Sequence, residues 1–235
     1  MLFGHSFFNF FMEPYLGDLE KTQILSELFE VPKDKRDDVW KDKFLENVDA
    51  ASFCCRAEQI IQGPDGFSYF ALYLPEPNKA FQCFVIKNMK DDFLLEKGIG
   101  VVISPGENST EWVFSYGDIV NYHLNGKFYT PQEHHELSAT EEESDKVLIG
   151  QPAEDYLPKI VREVLRKYLA TANILDPKIL LMVRGGSKEL VFNMTVDMFE
   201  SPQKYEDVMN RISWFLPRHY VYSSGAGMEG SLMPL

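Results

Sequence analysis

The chain has 235 residues, 45% of them hydrophobic and 25% charged, and a formal net charge of −13 from 36 acids and 23 bases. Those fractions belong to an ordinary folded globular protein and exclude a disordered chain, a collagen-like repeat and a coiled-coil rod. A groove that neutralises phosphates needs clustered Lys and Arg, so nucleic acid is not an expected partner.

The segment Met1 to Leu16 is rich in aromatics, but it lacks a basic start and a small-residue cleavage site, so it does not read as a secretory signal. No apolar run approaches the length of a membrane span, and a cytoplasmic location is expected. Residues 18–49 predict two helices. Leu19, Ile24, Leu25 and Leu28 form the apolar side of the first; Val39, Trp40, Phe44, Leu45 and Val48 recur in the second, with Asp34 as its expected N-cap.

Strands are then expected at 53–62, at 67–74 after the turn Gly63-Pro64-Asp65-Gly66, and at 80–87, where Phe81, Cys83 and Val85 alternate with Phe84 and Ile86. A glycine-led strand follows from Gly98 to Ile103. A short strand is expected at 111–115 and a helix at 116–124. Residues 125–151 lose periodicity and carry Glu133, Glu136, Glu141, Glu142, Glu143 and Asp145, which reads as an acidic linker.

The strongest helical pattern runs from Ala153 to Ala172, with Asp155 as a candidate cap and Pro158 in the first turn. Strands at 179–184 and 189–196 flank Gly185-Gly186-Ser187-Lys188, a hairpin signal. Ser201-Pro202 opens a last helix that Pro217 ends, a strand is expected at 219–222, and the tail from Ser223 reads as flexible. Together these elements predict an α+β protein made of two small sub-domains with antiparallel or mixed sheets. Its parts are an aromatic segment (1–17), an acidic domain (18–130), a linker (131–151), a second domain (152–222) and a tail (223–235). Residues 1–150 hold 26 acids and 13 bases whereas residues 151–235 hold 10 of each, so the net charge belongs to the first part.

Catalytic patterns are wanting. Gly98 and Gly100 precede their apolar run, whereas a dinucleotide fingerprint places glycines after a strand and at a helix start. Cys54, Cys55 and Cys83 have no metal or disulfide spacing and read as buried free thiols. His134 and His135, flanked by Glu133 and Glu136, have the right atoms for a divalent metal, but adjacent histidines in a polar loop seldom converge on one ion. No cofactor is expected. Trp112, Phe114 and Tyr116 alternate along a predicted strand, and Trp214 ends the last helix. Most such aromatics are core, but these four are the candidates for a protein-binding surface.

Several short motifs, taken in order, resemble those of the bacterial enhanced-serine-sensitivity (SseB-type) family. They are Phe44-Leu45-Glu46-Asn47, Gly66-Phe67, Gly100 to Gly106 with its Ser104-Pro105-Gly106 turn, Gly150-Gln151-Pro152 before a helix, and Leu216-Pro217 before a strand. The resemblance implies paired α+β domains in an intracellular bacterial protein and supplies no catalytic residues. The expectation is therefore a non-catalytic interaction or regulatory protein of the bacterial cytoplasm. Its acidic domain would bind a protein partner, a basic one by charge, and a second copy of the chain is a further candidate partner. The alternative is an enzyme or small-ligand binder with a metal-assisted site near His134 and His135.

Overall fold

The structure is a computed structural model and describes residues 16–104, 110–131, 147–225 and 230–235. The chain opens with helix α1 (Leu19–Phe29), capped by Asp18, whose carboxylate accepts from the N–H groups of Glu20 and Lys21. Helix α2 spans Asp38–Asn47. Its cap is Asp37 and not Asp34, because Lys33–Lys35 wind into a 3-10 turn and the Asp37 carboxylate is the one that reaches the Trp40 N–H, at 2.9 Å.

The first sheet has the order β1-β2-β3-β4, from β1 (Ile60–Gln62), β2 (Ser68–Leu72), β3 (Gly100–Ile103) and β4 (Trp112–Phe114). β2 and β3 are parallel and the outer pairs antiparallel. The expected strand at 53–62 reduces to isolated bridges at Phe53 and Cys54 followed by β1. The expected strand at 80–87 is also corrected. Phe84 makes one bridge, to Phe53, and the chain then turns into helix α3 (Ile86–Met89). Ile86, the last residue of that apolar run, opens the helix, and it and Met89, three residues on, both face the core.

A π-helical turn at Lys90–Leu94 and helix α4 (Leu95–Lys97) complete the crossover to β3. Gly98 ends α4 in the left-handed region at φ 65°. A Cβ there would lie 2.4 Å from Val164 Cγ1, so glycine serves both turn and packing. Helix α5 (Tyr116–Asn125) starts on a capping box in which Ser115 and Asp118 satisfy each other's main-chain N–H.

The second sheet has the order β5-β6-β7-β8, from β5 (Val147–Gly150), β6 (Lys178–Arg184), β7 (Ser187–Phe192) and β8 (Val221–Ser224). β9 (Met233–Pro234) pairs with the start of β6, on the same side as β5. Two expectations are corrected here. The last residues of the expected linker form β5, and the tail returns to the sheet: the Leu235 N–H donates to the Pro177 carbonyl at 2.9 Å, and the Leu235 side chain is buried.

Helix α6 (Lys159–Thr171) begins later than its periodicity suggests. Pro158 is extended at its N-cap position, and the Glu154 carboxylate reaches past it to accept from the Lys159 N–H at 2.7 Å. Asp155 therefore is not the cap. Helix α7 (Pro202–Ile212) is capped by Ser201 as expected and runs into a 3-10 turn at Ser213–Phe215.

The α+β class with two mixed sheets is as read from the sequence. The cores merge, however. Leu157, Val161, Val164 and Leu165 beside α6 belong to the same buried cluster as Ile99, Phe114, Tyr116 and Ile119 from the first part. The seam is also stitched by polar bonds: the Trp214 indole N–H donates to Tyr69 Oη at 2.8 Å, and Arg218 pairs with Asp118.

Candidate functional site

The four aromatic candidates do not make a surface. The strand ends at Phe114, so Tyr116 sits in the first turn of α5 and does not continue the alternation. Phe114 and Tyr116 are fully buried, the latter donating from its hydroxyl to the Leu95 carbonyl at 2.9 Å. Trp112 is half-buried against Phe44, at 4.7 Å between ring centres, and its indole N–H donates to Tyr129 Oη. Trp214 is buried, stacked on Phe67 at 4.2 Å. Their hydroxyl and indole groups find internal partners, which is why these rings can be interior.

Glu133, His134, His135 and Glu136 lie outside the described residues. Among the described residues no three His, Cys, Asp or Glu side chains come together as a metal-holding group. The three cysteines are free and half-buried rather than fully buried. Burial pushes the Cys55 thiol up to about 12 and also raises that of Cys54. Both therefore stay protonated, and so poorly nucleophilic, at neutral pH.

A groove of about 680 Å³ follows the seam between the two parts, lined by Asp65, Phe67, Ser115, Arg211, Trp214 and Arg218 among others. Several of its polar groups are already engaged, some within one part and some across the seam. Asp65 accepts from the Phe67 N–H at 3.0 Å and from Tyr69 Oη. Arg218 is spread across Asp118, and its guanidinium carbon lies 4.4 Å from the centre of the Tyr129 ring. Burial, reinforced by the Asp65 carboxylate, raises the Tyr69 phenol, so it donates as a neutral hydroxyl.

The feature left without an internal role is β5. All four of its residues are exposed, and Val147, Leu148 and Ile149 are 43%, 68% and 47% exposed. The hairpin sets how its backbone is aimed. Gly185 and Gly186 both have positive φ, 54° and 83°, the requirement of a two-residue type I′ turn, so the flanking pair Arg184 and Ser187 exchanges its main-chain bonds. Hydrogen-bonded pairs alternate along an antiparallel ladder, so Arg184, Met182 and Leu180 bond toward β7. The Asn193 N–H donating to the Lys178 carbonyl at 3.1 Å continues that series.

Val183 and Leu181 therefore bond toward β5, where they face Leu148 and Gly150. Val147 and Ile149 then aim N–H and C=O away from β6, on the outer edge of the sheet, where no described strand lies. Their side chains share a face with Met182 and Arg184, while Leu148 projects from the other. A groove of about 440 Å³, lined by Met182, Arg184, Ser187, Lys188, Glu189 and Val221 with the turn residue Gly185, opens over β6, β7 and β8. Sequence reading missed β5 because four residues carry too little periodicity and an acidic tract precedes them. The signal present was the apolar triplet itself.

No helix among the described residues is long and apolar enough to cross a membrane. Comparison with protein-family models, with curated proteins and with solved structures finds no match.

Proposed function

We propose that the chain is a non-catalytic protein-binding protein of the bacterial cytoplasm, acting as an adaptor or regulator toward a basic protein partner. The observation that carries this reading is β5, with three consecutive large apolar side chains between 43% and 68% exposed. Apolar side chains left in water along an unpaired strand edge support an interaction role. The charge supports the choice of partner. A net charge of −13, with twice as many acids as bases in residues 1–150, accelerates encounter with a basic protein and repels an acidic one. The likeness of element order to the SseB-type family is part of the same proposal and points the same way.

The test is affinity capture from native lysate with the full chain as bait, at low and at high salt, read by mass spectrometry. One stoichiometric protein, basic in composition and released at high salt, is the expected result. A bait that captures nothing at low salt, or holds its partner equally at both, overturns the reading.

A further inference from the structure

The geometry points to strand addition at the outer edge of β5, with an extended segment of the partner, apolar and flanked by Lys or Arg, as the occupant. This rests on the protein-binding reading and supplies its mode.

Val147 and Ile149 each present an N–H and a C=O outward, two residues apart, which is the spacing at which an added antiparallel strand takes up hydrogen-bonded pairs. The incoming residue opposite Leu148 would occupy the closer, non-hydrogen-bonded position, where side chains meet most tightly. Since Val147 and Ile149 lie on one face and Leu148 on the other, the added strand gains apolar contact on both faces. An open apolar edge is otherwise a liability that folded proteins blunt with charge, proline or a covering element. The strand Val-Leu-Ile-Gly carries no charged residue and no proline.

Charge selects the occupant. The chain has a net charge of −13, and residues 1–150, which close with β5, hold 26 acids against 13 bases. Antiparallel addition brings residues C-terminal to the partner's apolar core toward Val147. A second copy of the chain fits less well. It brings the same negative charge, which works against self-association at this edge.

The probe is a labelled ten-residue peptide, Thr-Val-Thr-Val-Thr-Val followed by four Lys, titrated into the full-length protein at low salt. Anisotropy should show saturable binding, and amide hydrogen exchange should show the Val147 and Ile149 N–H groups becoming protected. Ile149→Pro, which removes an outward N–H and leaves the β6 ladder intact, should weaken binding by at least about tenfold. The same peptide N-methylated at alternate residues should lose binding to the unaltered protein, which keeps the result independent of how the variant folds. A peptide ending in four Glu should bind at least about tenfold more weakly.

The proposal is overturned by no peptide binding, by binding that leaves both amides exchanging, by amides already protected in dilute free protein, or by protection that grows with protein concentration alone. The third would mean the chain covers its own edge, and the fourth that a second copy does. If Ile149→Pro still captures a salt-sensitive partner from lysate, strand addition fails while the protein-binding reading stands. If neither protein captures one, the reading itself fails.

Discussion

Arg218 and Asp118 are a hundred residues apart in sequence and meet in a two-pronged ion pair. Nε donates to Oδ1 at 2.7 Å and Nη2 to Oδ2 at 2.8 Å. Asp118 is fully buried, whereas the Arg218 side chain is 60% exposed, so one carboxylate of the first part is neutralised by a residue entering from the second. The same carboxylate accepts from the Ser115 N–H and starts α5, so one residue both caps a helix and clamps the seam.

Asp118→Ala should cost about 3 kcal/mol or more, because it removes the Asp118 half of the capping box and the counter-ion of Arg218. Arg218→Ala should cost less, since water already screens half of that side chain, yet it leaves a buried carboxylate with only its cap bond. Urea unfolding of the two single variants and the double variant checks this. The coupling energy should be about 1–2 kcal/mol, and simple additivity would show that the pair does not hold the seam.

Gly117 lies where α5 meets the turn before Pro217. A Cβ on it would sit 2.0 Å from the Leu216 carbonyl oxygen. Gly117→Ala should therefore destabilise by about 2–3 kcal/mol, although an alanine inside a helix normally gains up to about 1 kcal/mol over glycine. Thermal unfolding of the variant decides the sign.

The closing residues should be needed for full stability. Leu232 packs on Leu180 and Val191, and Leu235 is buried with its N–H bonded to Pro177. Removing residues 230–235 uncovers that face of β6 and β7 and should lower the melting temperature by several degrees, on the order of 2–4 kcal/mol. An unchanged midpoint would place β9 outside the cooperative unit.

Both ends of the pH range should weaken the fold. Burial raises Cys55 from 9.0 to about 12 and Tyr156 from 10.0 to about 12. The folded state thus holds these protons more tightly than the unfolded chain. Their stability is fully present below pH 9 and is lost as pH rises toward 12. Burial lowers His219 from 6.5, and among the described residues its buried Nδ1 has no partner. Its stability is present above pH 6.5 and is lost as pH falls below it. Circular dichroism against pH should show loss at both limits, and His219→Gln should flatten the acid limb alone.

Local chemistry was legible wherever one residue type settles a short-range choice. Ser201-Pro202 opens α7, the Gly185-Gly186 pair turns the hairpin, and Gly98 to Ile103 leads into β3, because caps and positive-φ turns depend on neighbours within four residues. The α+β class followed from the mix of helical and alternating patterns. Charge asymmetry and the absence of familiar catalytic spacings were likewise properties of the chain as written.

Long-range pairing was not legible in this way. The alternation at Phe81 to Ile86 satisfies a strand and a helix entry equally, and the bridge from Phe84 to Phe53 with Ile86 and Met89 facing the core selects the second. The aromatics Trp112, Phe114, Tyr116 and Trp214 carry the composition of a binding surface. Phe114, Tyr116 and Trp214 are buried and Trp112 is half-buried, and Tyr129, Leu95 and Tyr69 supply partners for the polar atoms of Trp112, Tyr116 and Trp214. Val147 to Ile149 became an exposed edge only through the register of a hairpin more than thirty residues further along. A residue's type sets what it can bury or bond, and its place in the sheet sets whether a neighbour arrives to receive it.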